Sequence, residues 1–185
     1  MNVKTHPIVD EASLRRYKKE FNFFETPAAL ADKMAELIDD VGYGARILEP
    51  SAGLGSLARA VQRAIKYPIS PIEFCEVQQG FVDTLTSAGL VRVGGDFMEY
   101  RPGPVYEAVI MNPPYKNKTA EQHVGHAWNC VRPGGKIVAL VGENAMRWID
   151  DEFLGHIFEK EEIKKGTFEE TNVKTCLYLI IKPLY

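Results

Sequence analysis

The strongest constraint on the fold is a unit that occurs twice in the first half of the chain: a short apolar run, an acid where it stops, and an amphipathic helix beyond a turn. Arg46-Ile47-Leu48-Glu49 reads as a strand; Pro50-Ser51-Ala52-Gly53-Leu54-Gly55 follows, and Leu57, Ala60, Val61, Ala64 and Ile65 then recur at helical spacing. Ile72-Glu73-Phe74-Cys75, with Glu76 at its tip, leads to a second helix marked by Phe81, Val82 and Leu85 and closed by Gly89. Strand, loop and helix in this order begin a doubly wound sheet, where ligands meet the carboxyl ends of strands. The loop glycines let backbone approach a ligand closely and expose helix N–H groups. With Glu49 and Ser51 at its turn, the first loop is not the dinucleotide Gly-x-Gly-x-x-Gly.

The rest of the chain fits the same plan. Thr26 as N-cap and Pro27 at the first helical position start a helix, with Leu30, Met34, Leu37, Ile38 and Val41 on its apolar face and Gly42 and Gly44 at its end. Leu90 to Val93 forms a third strand, followed by Gly94-Gly95-Asp96-Phe97, and Ala108 to Met111 a fourth, behind a Pro102-Gly103-Pro104 turn. Thr119-Ala120-Glu121-Gln122 reads as a capping box for a helix carrying His123, Val124, Ala127 and Trp128, the last read as core. Lys136 to Val141 is a fifth strand, Phe153, Leu154, Ile157 and Phe158 mark a last helix, and Ile163 to Phe168 pairs with Thr175 to Ile181 across Glu169-Glu170-Thr171-Asn172. The expectation is an α/β fold: a doubly wound, mostly parallel seven-stranded sheet, helices on both faces, and a C-terminal antiparallel hairpin.

At 185 residues one domain spanning 1–185 is expected, with 1–20 as a short extension holding a surface helix. No apolar run approaches the ~20 residues of a membrane span, and the charged amino terminus is unlike a signal peptide, so a cytoplasmic protein is expected. Cys75, Cys130 and Cys176 are far apart in apolar contexts and read as reduced core thiols. His123 and His126 lie three apart, but nothing nearby completes a metal site, and none is expected. A formal net charge of −3 neither supports nor excludes nucleic-acid binding, for which a local basic face is enough.

Asn112-Pro113-Pro114-Tyr115 stands directly behind the fourth strand. Two prolines cannot continue a sheet ladder, having no N–H to donate, and Pro113 keeps Asn112 extended. The corner therefore offers an amide side chain, free carbonyls and an aromatic ring at a strand's carboxyl end. As a bare sequence it is equally a proline-rich turn. Glu76 suits a bidentate grip on two ribose hydroxyls, Asp96 could accept from an exocyclic amine, and Phe97 could stack on a purine. Lys116 and Lys118 are candidate phosphate contacts, with Arg147, Lys164 and Lys165 weaker ones.

In that order, these motifs resemble a class I S-adenosylmethionine-dependent methyltransferase, and within that fold the N6-adenine DNA methyltransferases. Phe24-Glu25-Thr26-Pro27 resembles the family's Phe-x-Thr-Pro motif, and its place ahead of the others is like the gamma arrangement. The resemblance implies S-adenosylmethionine as cofactor. Phe24, Thr26 and Pro27 would hold its methionine end, Glu49 would face its amino group within the loop of Ser51, Ala52, Gly53 and Gly55, Glu76 would bind its ribose, and Asp96 and Phe97 would read its adenine. Asn112 would border the cofactor as well as the substrate. It implies a catalytic corner too: the Asn112 side-chain oxygen and the Pro113 carbonyl each accept one hydrogen of a planar amino group, turning its lone pair toward the methyl group. Tyr115, beside Pro114, would stack on the base, at roughly 1–3 kcal/mol, and in a duplex the adenine must first be flipped out. The expected partner is DNA, or alternatively RNA, because the tetrapeptide is shared with rRNA base methyltransferases and with enzymes that methylate glutamine in release factors and ribosomal proteins. Gamma-type DNA enzymes usually carry a target-recognition domain, and no stretch here is long enough to be one, so limited sequence specificity or a partner protein for target recognition is expected. Glutamine enzymes typically have a helical domain ahead of the cofactor domain, where only about two dozen residues precede Thr26. A cofactor-binding module without turnover is the remaining alternative.

Overall fold

The computed structural model describes residues 24–116, 118–164, 166–168 and 173–185, together with Ala12 and Arg15. Seven strands form one sheet in the order β3-β2-β1-β4-β5-β7-β6: β1 (Ile47–Glu49), β2 (Glu73–Cys75), β3 (Val91–Gly94), β4 (Tyr106–Met111), β5 (Val131–Gly142), β6 (Ile157–Ile163) and β7 (Thr175–Ile181). All neighbouring pairs are parallel except those of β7, which runs antiparallel to both β5 and β6. The helices are α1 (Ala28–Glu36), α2 (Ser56–Ala64), α3 (Gln79–Ser87), α4 (Thr119–Cys130) and α5 (Glu143–Glu152), with a 3-10 turn at Phe97–Glu99.

The period-two alternation of side chains along a strand sorts the sheet's residues onto two faces. Ile47, Ala108, Ile110, Val138 and Leu140 pack with α1, α2 and α3 on one side. Leu48, Val109, Met111, Ile137 and Ala139 pack with α4 and α5 on the other. Central strands buried on both faces read as continuous apolar runs, which is why β4 and β5 stand out in the sequence. Cys75, Cys130 and Cys176 are buried free thiols. At the sheet's amino edge, buried Glu73 takes a bidentate contact from Arg46 at 2.8 and 2.9 Å and a hydroxyl from Tyr106. That network belongs to the frame and lies away from the strand ends that matter below.

Several boundaries differ from expectation, each for a local reason. Thr26 does not cap α1: Pro27 is its N-cap residue and no side chain caps the helix. The Thr26 hydroxyl is instead engaged by Asn112. Regular helix ends at Glu36, and the buried Ile38 and Val41 sit in turns closed by three-residue bonds, Ile38 N to Ala35 O and Val41 N to Ile38 O. The Thr119 capping box is absent too. Lys118 is the N-cap residue at φ 60°, with no side-chain cap, and is the one non-glycine with positive φ among the described residues.

The largest correction concerns the last helix. Phe153, Leu154, Ile157 and Phe158 have helical spacing, yet the helix precedes them at Glu143–Glu152, burying Ala145, Met146 and Ile149. Gly155, at φ 85°, turns the chain, and Ile157 opens β6. That strand, not Ile163 to Phe168, forms the hairpin with β7; Ile163 is its last residue. β6 is an edge strand exposed along most of its length, and its Glu-Lys-Glu-Glu run hides it from an apolar pattern. The helix expected within 1–20, apart from Ala12 and Arg15, lies outside the described residues, as do Asn117, Lys165 and the Glu169–Asn172 connection.

Candidate active site

Strand register brings the singled-out residues to one edge. Leu48 pairs with Val109 of β4, and Glu49 with Phe74 of β2. Continued past the strand ends, the same registers set Ser51 level with both Glu76 and Asn112 at the sheet's carboxyl end.

The first loop is shaped by a close approach. Gly55 has φ 76°, and a Cβ there would stand 2.4 Å from the Leu85 Cδ2 of α3. This left-handed residue starts α2, whose N-terminus holds Glu49: Ala58 N donates to Glu49 Oε2 at 2.9 Å. Glu49 is 2 % exposed, and burial, the largest influence, pushes its carboxyl up to about 8. It borders a small cavity with Thr26, Ser51 and Asn112. Buried Glu76 accepts from Gly53 N and from Gln78 N, each at 2.8 Å, so the second strand's acid braces the first strand's loop.

Glu76 also lines a cleft of about 360 Å³ with Pro50, Ser51, Asp96, Phe97, Pro114 and Lys116. Asp96 is exposed and caps the 3-10 turn, accepting from Met98 N at 2.8 Å. Phe97 is 1 % exposed, with its ring centroid 5.3 Å from that of His123 and 4.6 Å from that of His126. It contributes a wall to the cleft rather than an open stacking face. His123 is a member of this cleft that the sequence does not reveal as one. Its Nδ1 lies 3.2 Å from Ser51 Oγ, and burial lowers its pKa to about 4, so the ring is neutral near pH 7. No spacing signal links residues 72 positions apart. Among the described residues, no group of three His, Cys, Asp or Glu could hold a metal ion.

The Asn112 corner is the most fully specified part. Asn112 Nδ2 donates to the Phe24 carbonyl at 3.0 Å and to Thr26 Oγ1 at 3.1 Å, and Tyr115 OH donates to Asn112 Oδ1 at 2.7 Å. The Tyr115 ring lies beside Gly142, the N-cap residue of α5, with its centroid 6.1 Å from that of Phe24. Burial raises its hydroxyl pKa, so it stays protonated and a donor. Pro113 is buried, Pro114 half-buried, and Lys116 and Lys118 are exposed just beyond. On the far side of Phe24 and Thr26 opens a second cleft, of about 500 Å³, lined also by Pro27, Ser56, Arg59 and Arg63. Ser56 Oγ donates to Glu25 at 2.6 Å, tying the 24–27 segment to the start of α2. Ala52 is buried within the loop. Arg147 and Lys164 are exposed.

A seven-stranded sheet of this order, with β7 reversed between β5 and β6, defines the Rossmann-like fold of class I methyltransferases. Similar solved structures bear that out. One is the methyltransferase subunit of a type I restriction-modification system from Streptococcus thermophilus, at 16% identity over 98% of this chain and 51% of that one, TM-score 0.71. Another, from Pyrococcus horikoshii, is provisionally assigned as an RNA methyltransferase, at 17% identity over 88% of this chain and 89% of that one, TM-score 0.69. A third is the Thermus thermophilus 16S rRNA N2 G1207 methyltransferase in complex with AdoMet and guanosine, at 16% identity over 84% of this chain and 40% of that one, TM-score 0.55. At such identities the likeness is one of fold. No protein-family model matches the chain, and no curated protein sequence matches it.

Proposed function

We propose that the chain transfers a methyl group from S-adenosylmethionine to the exocyclic N6 amino group of adenine in DNA, with limited sequence specificity. The observation that carries this reading is the Asn112 corner: an amide whose nitrogen is held from behind and whose oxygen already accepts a donor, beside an aromatic ring and bordering the small cavity that Glu49 also lines. A planar amino group needs two acceptors at such a place, and Asn112 Oδ1 with the Pro113 carbonyl are the pair.

The residues also fit the cofactor. A buried acid at a helix N-terminus, Glu49, suits an ammonium group, and ionises when one neutralises its burial. Glu76 lines the cleft beside Pro114, where a ribose and a purine would lie between Pro50 and the Asp96-Phe97 turn. S-adenosylmethionine supplies a methyl group carried on a positively charged sulfur. The protein's part is orientation: Glu49, Glu76 and the glycine loop hold the donor, while Asn112 and Pro113 draw the acceptor's two hydrogens aside. No residue has to act as a strong base, since the methylated amine is acidic and loses its proton to water. Tyr115 stacks on the base once its hydroxyl leaves Asn112, and Lys116 and Lys118 meet flanking phosphates.

RNA is the second reading, favoured by the RNA methyltransferases among the similar structures. The likeness to a restriction-modification subunit makes a separate target-reading chain a natural partner. The test is labelled methyl transfer to DNA, RNA and cell protein in parallel, at rising salt, with digestion of whatever is labelled. N6-methyladenine from DNA, formed at a rate that falls steeply with salt, is expected. Label in glutamine, or a flat salt response, would overturn the reading.

A further inference from the structure

We propose that Thr26, together with the Phe24 carbonyl, is a positioning residue for Asn112, fixing which end of its amide faces the methyl acceptor. The inference rests on the methyltransferase reading and adds to it: the segment that looks like a cofactor-binding motif would also set the geometry of the acceptor site.

An asparagine amide is nearly symmetrical in shape and opposite in chemistry at its two ends. Only Oδ1 can accept hydrogens from an amino group; turned over, the side chain would set one NH2 against another. Rotation about the last side-chain bond is soft, so packing alone does not choose. The choice is made behind the amide. Asn112 Nδ2 meets the Phe24 carbonyl at 3.0 Å and Thr26 Oγ1 at 3.1 Å. The Phe24 carbonyl can only accept, so a turned amide would set oxygen against oxygen there and lose that bond, while the Thr26 hydroxyl, bonded to the same nitrogen, holds the amide against that carbonyl. Thr26 is 5% exposed, so water does not readily substitute for it. The N-cap position of α1 falls to Pro27, so the Thr26 hydroxyl is not used as a cap. At the other end, the Tyr115 hydroxyl donates to Oδ1 at 2.7 Å, the role an acceptor N–H would take.

The test separates cofactor binding from turnover in the full chain. S-adenosylmethionine affinity is measured by calorimetry, and kcat at saturating cofactor with the substrate found by labelled transfer. Thr26→Val keeps the shape and removes the acceptor; kcat falls roughly tenfold to a hundredfold, the scale of a small misplacement of reacting groups, and Thr26→Ser restores it to within about threefold. A kcat within twofold of native, with any loss confined to affinity, overturns the inference, as does an equal fall in both variants. A further readout needs no variant turnover: in the native chain the two Asn112 side-chain N–H resonances are protected from exchange and shifted by hydrogen bonding. A rapidly exchanging pair overturns it. A native chain that binds the cofactor and transfers to nothing defeats the proposed function and this inference with it; native transfer with an unaffected Thr26→Val defeats this inference alone.

Discussion

Burial sets the charge of Glu49 before any ligand arrives. Its carboxyl, raised from 4.5 to about 8 chiefly by desolvation, binds a proton near pH 7 in the folded chain and not in the unfolded one. The group's contribution to stability is therefore greatest below about pH 4.5 and declines as pH rises toward 8. Urea unfolding across that range should show native protein losing stability with pH relative to Glu49→Gln; parallel curves would contradict the assigned burial. Glu49, Glu76 and Asn112 were legible because each stands where an apolar run stops. Their partners were not. Thr26 looked like a helix cap because a threonine before a proline has that chemistry, and only the fold brings it 86 positions along the chain to Asn112. His123 and Phe97 illustrate the same limit: their types are visible in sequence, but whether a ring faces a cleft or a core depends on packing.

Elements follow a related rule. Strands buried on both faces, β1, β2, β4 and β5, are legible as apolar runs, and the α2 and α3 faces as helical spacing. β6 carries no apolar signature because an edge strand need not be apolar, and Phe153 and Ile157, four apart, imitate a helix that Gly155 interrupts. The loop between β1 and α2 was legible as glycine-bearing, but the reason for Gly55 is tertiary. Gly55→Ala combines a left-handed φ with a 2.4 Å approach to Leu85 and should cost about 1–3 kcal/mol in urea unfolding. Gly42, with open space around it, is the control: Gly42→Ala should change stability by less than ~0.5 kcal/mol. Equal effects would mean that loop and helix do not meet as described.

At the scale of the molecule, seven strands and their register bring separate motifs to one edge. Order along the chain suggested this, since each motif follows a strand in a sheet built to deliver carboxyl ends together. What order alone does not supply is the shape of the site: a cleft beside Glu76, another bordered by Phe24 and Thr26, and a small cavity that Glu49, Thr26 and Asn112 share. In the proposed function Glu49 and Glu76 serve donor binding and Asn112 chiefly methyl transfer, with Phe24 and Thr26 touching both. The most direct test pairs two measurements on Asn112→Ala, S-adenosylmethionine affinity and single-turnover methyl transfer. Affinity within about threefold of native is expected, with transfer lower by about 10²-fold or more, on the order of losing a transition-state acceptor. Transfer at the native rate would contradict that role for Asn112.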